Sequence, residues 1–69
     1  MKNRVKELRT ARGWSQAVLG DKLEVSRQSV IAIESGRFDP SLPLAFRIAR
    51  LLGQPIESVF QDDDGAGIP

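Results

Sequence analysis

Apolar side chains recur at helical spacing in two neighbouring stretches of this chain. Leu19 and Leu23 lie four residues apart, and Val30 and Ile33 lie three apart, so each pair falls on one face of a helix. A serine precedes each stretch and can accept a hydrogen bond from the first helical turn. Because only residues 24–25 lie between the two stretches, the pattern predicts two helices joined by a tight corner, a helix-turn-helix.

The same pattern predicts three further helices and an all-α domain over residues 1–61. Their boundaries follow from serine or asparagine caps, from glycines and from prolines. The five predicted helices are about 3–12 with Asn3 as N-cap, 16–23, 26–35, 41–53 and 56–60. Residues 62–69 contain three aspartates and two glycines without an apolar period, so we expect them to form an acidic, disordered tail.

The composition excludes several classes of chemistry. The 69 residues contain neither cysteine nor histidine, so disulfides, zinc sites and most hydrolytic triads are excluded. A chain of this length has little room for an enclosed pocket, and we expect no enzyme, no metal and no cofactor. The longest apolar run, residues 30–33, is far too short to span a membrane, and the chain starts without a signal sequence, so we expect a cytoplasmic location.

Charge is distributed unevenly along the chain. The net charge is only +1, yet residues 1–37 contain eight basic and four acidic side chains, and Asp62, Asp63 and Asp64 follow near the end. A basic body with an acidic tail suits a polyanionic ligand such as double-stranded DNA. Charge alone fits a merely solvated surface equally well.

The third predicted helix presents an unusual outward face. At 100° per residue, Val30 and Ile33 point inward, and the opposite arc carries no acidic side chain. That arc contains an arginine, a glutamine, a serine and two apolar side chains: Arg27, Gln28, Ser35, Ile31 and Ala32. Arginine can bind guanine, glutamine can bind adenine, and apolar groups can contact the thymine methyl group. The face therefore suits the major groove of DNA, whereas an ordinary solvated helix would carry lysine and glutamate there.

Over residues 2–61 the chain resembles the DNA-binding domain of phage lambda-type repressors and Cro proteins, the XRE group of bacterial regulators. The resemblance rests on the segments KNRVKELRTARGWSQ, KLEVSRQSVIAIESGR, FDPSL and FRIARLLGQPIESVF. It implies five helices and a transcriptional regulator, most simply a repressor, that binds a near-palindromic operator. It also implies a homodimer, with the third helix, about 26–35, in the major groove.

The resemblance also implies roles for individual residues. Gln16 matches a glutamine that contacts a phosphate and braces the recognition helix, and Arg37 matches a basic residue that meets the DNA backbone. Arg9 and Glu34 match an ion pair between the first and third helices. The positions that contact bases or backbone correspond to Ser26, Arg27, Gln28, Ile31 and Ala32.

The chain departs from the family pattern at three positions. Glu24 replaces the usual corner glycine, so it must adopt a left-handed conformation at a cost of about 1 kcal/mol or shift the corner. Gly20 stands where alanine is commoner, and Pro55 stands where a serine usually caps the fifth helix. None of these positions lies on the predicted DNA face.

Two questions stay open at the level of sequence. Phe46 points away from the apolar stripe of the fourth helix, so we expect it to be the dimer contact. A second interpretation of the chain is an antitoxin-like or adaptor protein whose main ligand is a partner polypeptide. Binding to DNA from the protein's own upstream region would distinguish the two interpretations.

Overall fold

The computed structural model describes residues 1–61, and it contains five helices and one pair of very short strands. The predicted tail, 62–69, lies outside the described residues. In chain order the elements are β1 (Lys2–Asn3), α1 (Val5–Ala11), α2 (Gln16–Leu23), α3 (Arg27–Glu34), α4 (Leu42–Leu52), α5 (Ile56–Val59) and β2 (Phe60–Gln61). The all-α, five-helix architecture predicted from the sequence is confirmed, and the strand pair is added to it.

Serine side chains start the three central helices, as predicted. Ser15, Ser26 and Ser41 each accept a hydrogen bond from the backbone N–H three residues later, at 3.0, 3.1 and 3.3 Å respectively. Each hydroxyl thereby satisfies one of the N–H groups that a helix start leaves without a partner. The residues at which α2 and α3 begin are therefore specified by the local sequence.

The first helix begins later than predicted. Arg4, not Asn3, is its N-cap, and no side chain caps it. The Asn3 side chain instead accepts a hydrogen bond from the Val5 N–H at 3.1 Å and donates one to the carbonyl oxygen of Ile33 at 2.8 Å. The oxygen of the Asn3 amide therefore bonds to the first residue of α1, while its nitrogen adds a tertiary contact to the end of α3.

The strands pair the beginning and the end of the described chain. Lys2 lies opposite Gln61 and Asn3 opposite Phe60 in an antiparallel register. The sequence analysis did not predict this pair, because two residues are too few to show the alternation of a strand. Helix α5, predicted to reach Phe60, ends at Val59, and Phe60 has the extended φ and ψ of −115° and 134°.

The apolar faces of the helices meet in one core. Its centre is formed by Leu19 of α2 and Ile48 of α4, neither of which is exposed to solvent. The other buried side chains of this cluster are Val5, Leu23, Val30, Ile33, Ala49, Leu52 and Val59. Within residues 1–61, none of the helices has the length and apolar character needed to cross a lipid bilayer.

The corner between α2 and α3 combines a strained residue with a close backbone contact. Glu24 adopts the left-handed conformation, with φ of 60°, and it is the only residue other than glycine with positive φ in the described chain. The Val25 N–H then donates to the carbonyl oxygen of Gly20 at 2.9 Å. Gly20 is buried against this corner, so the missing side chain allows the two segments to approach closely. The corner fixes the angle at which α3 leaves α2.

Candidate nucleic-acid interface

The first turn of α3 presents two polar side chains that the protein itself does not use. Arg27 and Gln28 are both exposed, and neither side chain forms a hydrogen bond or ion pair within the described residues. Ser26 holds the start of the turn through its bond to the Ser29 N–H. The guanidinium and the amide therefore project from a fixed helix end, and their hydrogen-bonding groups are free to contact an outside ligand.

The rest of the outward arc of α3 is apolar or small, as the helical angles predicted. Ile31 is 36% exposed, and Ala32 is half-buried next to it. Val30 and Ile33, on the opposite side, are 1% and 2% exposed. Helix α3 therefore has one face that belongs to the core and one that can lie against a flat or grooved partner.

Arg37 lies just beyond the C-terminal end of α3. Gly36 turns the chain with φ of 80°, and the N–H groups of Arg37 and Phe38 both donate to the carbonyl oxygen of Ala32, at 3.0 and 3.2 Å. The Arg37 side chain is exposed and has no partner within residues 1–61. The two uncompensated arginines, Arg27 and Arg37, thus flank the outward face of α3.

The back of α3 is held by a buried ion pair. Arg9 Nε donates to Glu34 Oε2 at 2.6 Å and Arg9 Nη2 to Glu34 Oε1 at 3.2 Å, and Arg9 Nη1 donates to the Trp14 carbonyl oxygen. Gln16 Nε2 donates to the same Glu34 Oε1 at 3.2 Å. The carboxylate of Glu34 therefore joins α1, α2 and the last turn of α3. Because Glu34 neutralises Arg9, Arg9 adds no net positive charge to this surface.

A depression of about 510 Å³ lies between the start of α2 and the start of α3. Its lining residues are Arg9, Ser15, Gln16, Ala17 and Arg27. The N-terminus of α2, with its unpaired N–H groups, and the free guanidinium of Arg27 make this depression favourable for a phosphate. Ser15 and Ala17 were not predicted as site residues. The signal that could have found them is their position at the helix start beside Gln16.

Two further features, the predicted dimer contact Phe46 and an ion pair at the start of α1, lie apart from this surface. Phe46 is 44% exposed on the outer side of α4 and does not join the core. Arg4 of the α1 start pairs with Glu7, and the hydrogen bond and then the charge of Arg4 lower the pKa of the Glu7 carboxyl. Within the described residues, no group of three or more acidic, histidine or cysteine side chains is placed to bind a metal ion.

Comparison with known proteins places this geometry in a defined family. The model of the helix-turn-helix family matches residues 5–59. The chain is 50% identical over 66 residues to an uncharacterized HTH-type transcriptional regulator of Methanocaldococcus jannaschii, covering 93% of this chain and all of that protein. It is also 50% identical over 60 residues to an uncharacterized HTH-type transcriptional regulator of Bacillus subtilis, with 87% and 91% coverage.

Solved structures agree with the sequence relatives. The restriction-modification controller protein C.AhdI from Aeromonas hydrophila superimposes with a TM-score of 0.74 at 33% identity, covering 83% of this chain and 86% of that one. The family model spans α1 to α5, and it therefore includes the helices that form the surface around α3. This chain therefore belongs to the XRE-type helix-turn-helix family of DNA-binding transcriptional regulators.

Proposed function

We propose that this protein is a repressor that binds a near-palindromic operator as a homodimer, with α3 of each subunit in the major groove. The proposal is supported by the contrast between the two sides of α3. The outward side presents polar side chains that the described part of the protein does not bind, and the inward side is held by hydrogen bonds to neighbouring helices. Within residues 1–61 the side chains of Arg27 and Gln28 have no partner, while Glu34 at the other end of α3 is bonded to two neighbouring helices. A side chain that reads a base needs a rigid support, because small displacements remove bidentate contacts.

The proposed roles follow from charge and position. Gln28 carries no charge and gains little from the DNA backbone, so we assign it to a base, with adenine as the chemical match. Arg27 suits a guanine or a phosphate, and Ile31 with Ala32 suits a thymine methyl group. The phosphate contacts are assigned to Gln16 and Ser26, at helix N-termini that favour anions, and to the exposed guanidinium of Arg37.

A gel-shift experiment with DNA from the upstream region of the protein's own gene tests this function. Unrelated DNA of equal length is the competitor, and we expect it to displace the complex only at large excess. If each half-site neutralises about three phosphates, the slope of log affinity against log salt for a dimer is roughly −5. A slope near zero would show that DNA is not the principal ligand and would favour a polypeptide ligand instead.

The homodimer is proposed on separate grounds. A two-fold operator requires a contact between subunits, and Phe46 provides an exposed aromatic side chain on the outer side of α4. Analytical ultracentrifugation of Phe46→Ala is expected to show weaker self-association than the parent protein. The matched control is Phe38→Ala, because Phe38 is similarly exposed, at 49%, but lies in the loop after α3. A parent protein that sediments as a monomer both alone and on DNA would contradict the dimer.

A further inference from the structure

A second positively charged surface lies between α2 and α4, away from the surface around α3. It is an open groove of about 340 Å³, which we name the α2–α4 groove. Its lining residues are Lys22, Leu23, Arg47, Arg50 and Leu51. The proposed DNA-binding function assigns no role to the three cationic side chains, Lys22, Arg47 and Arg50.

Two of the three cations of the α2–α4 groove, Arg47 and Lys22, are held in place, and none of the three is neutralised by an ion pair within the described residues. Within residues 1–61, none of Lys22, Arg47 and Arg50 forms a salt bridge. Arg47 Nη2 donates to the carbonyl oxygen of Leu23 at 2.8 Å, which fixes the guanidinium at the rim. Lys22 Nζ lies 4.7 Å from the centroid of the Trp14 ring, an attraction that leaves its charge intact. Three positive charges therefore face one groove, and no carboxylate of residues 1–61 forms an ion pair with them.

The α2–α4 groove and the surface around α3 lie on opposite flanks of α2. Leu19 and Leu23 form the buried stripe of this helix. At 100° per residue, Ala17, which lines the depression beside Arg27, projects on one side of that stripe and Lys22 on the other. A ligand in the groove would therefore leave the DNA-binding surface free.

The groove combines positive charge with an apolar surface. This combination suits a peptide ligand better than a nucleic acid. Leu51 is half-buried and gives the groove an apolar wall beside the arginines of α4, and the buried Leu23 also lines it. A phosphate backbone offers no apolar group that such a wall could bind, whereas a polypeptide can place leucine-like side chains beside carboxylates. We propose that the α2–α4 groove docks an acidic segment of a partner protein. Its carboxylates contact Lys22, Arg47 and Arg50, and an apolar side chain packs on Leu51.

Binding of a synthetic peptide to the full chain tests this proposal, which goes beyond the proposed DNA-binding function. The probe is a short fluorescein-labelled peptide with leucines placed between aspartates, and fluorescence anisotropy measures its affinity. One control peptide replaces the leucines with serine, and a second replaces the aspartates with lysine. Trp14 is the sole tryptophan and touches Lys22, so its emission reports occupancy of the groove independently.

Two charge-reversal variants separate the groove from the DNA-binding surface. Arg50→Glu is expected to weaken peptide binding about fivefold to tenfold, because it removes one exposed ion pair and adds one repulsion. The same variant should bind operator DNA about as tightly as Arg50→Gln does. Any remaining difference would come from long-range electrostatic repulsion, which salt screens. Arg37→Glu changes the net charge equally but should weaken DNA binding and leave peptide binding within about twofold of the parent. Circular dichroism confirms that both variants fold.

Several results would overturn the proposal. Equal loss of peptide binding in Arg50→Glu and Arg37→Glu would show that the peptide responds only to the net charge of the protein and not to the groove. Binding of the leucine-free peptide as tightly as the original would remove the role of Leu51. A large gain in peptide affinity on truncation to residues 1–61 would show that the chain's own acidic residues occupy the groove. A change in self-association caused by Arg50→Glu would identify the groove as a contact between copies.

Discussion

Arg9 and Glu34 form an ion pair that water barely reaches, since their side chains are only 8% and 5% exposed. The pair joins the middle of α1 to the last residue of α3, so the position of the recognition helix depends on one carboxylate. Desolvation makes such a pair a weak source of net stability, but removing a single partner is costly because the other charge stays buried.

Replacing the carboxylate tests this dependence. Glu34→Ala leaves the Arg9 guanidinium with only the Trp14 carbonyl oxygen and is expected to lower the free energy of unfolding by about 3 kcal/mol. Thermal and urea unfolding measure the effect. Glu57→Ala is the control, because Glu57 is exposed and has no partner in residues 1–61. Equal melting temperatures for the two variants would contradict the buried pair.

Gly20 should tolerate no side chain, despite lying in the middle of a helix. Alanine there would gain about 1 kcal/mol in helix propensity. Its Cβ, however, would lie 2.9 Å from the carbonyl oxygen of Val25, which is backbone and cannot rotate away. We expect Gly20→Ala to be destabilised by about 1–2 kcal/mol in urea unfolding.

The matched control for this substitution is Asp21→Ala, at the neighbouring exposed position of α2. A surface substitution of this kind is expected to change stability by less than about 0.5 kcal/mol. If Gly20→Ala were as stable as Asp21→Ala, the corner between α2 and α3 would have to move freely, and the close approach would not fix the helix angle.

Glu24 offers a route to a more stable protein. Its left-handed backbone is disfavoured for every residue with a Cβ, so Glu24→Gly relieves that penalty, and the greater freedom of glycine in the unfolded chain offsets part of the gain. A net increase of about 0.5–1 kcal/mol in unfolding free energy is expected. Glu24→Ala controls for loss of the carboxylate because it keeps the strain. Equal stability of the two variants would argue against strain at the corner.

Gln28 is expected to contribute to the affinity for the operator sequence but not to the affinity for DNA of unrelated sequence. Gln28→Ala should lower operator affinity by about 1–3 kcal/mol while binding to unrelated DNA stays nearly unchanged. Titrations of both DNAs at one salt concentration measure the difference. Arg37→Ala is the contrasting variant, because loss of a phosphate contact weakens binding to all sequences alike. A parallel loss in Gln28→Ala would mean that Gln28 contacts the backbone instead of a base.

The features that the sequence predicted well are those set by neighbouring residues. Ser15 and Ser26 determine where α2 and α3 begin, and the apolar spacing determines which faces are buried. The left-handed conformation of Glu24 is one of the two outcomes that the resemblance implied, because the family usually has a glycine at this corner. These features depend on stretches of a few residues, and short-range physical rules suffice for them.

The features that were missed depend on residues far apart in the chain. Asn3 fits the sequence pattern of a helix cap, but its amide reaches the carbonyl oxygen of Ile33, which no local rule reveals. The α2–α4 groove likewise requires Lys22 and Arg47 to converge from separate helices. For the proposed DNA-binding face, the roles of individual residues came from the resemblance to the family. The structure adds which of these side chains have no hydrogen-bond partner within residues 1–61.

The short strand pair gives α3 a gradient of stability along its length. Lys2 and Gln61 are exposed, so the hydrogen bonds of this pair can open locally at far less cost than global unfolding. Each opening that frees Asn3 also releases the carbonyl oxygen of Ile33 in the last turn of α3. The Gly36 amide hydrogen, which donates to the same oxygen at 3.0 Å, should therefore exchange with solvent faster than the amide hydrogens in the middle of α3. The Val30 amide hydrogen donates to the Ser26 carbonyl oxygen beside a buried side chain and should exchange much more slowly.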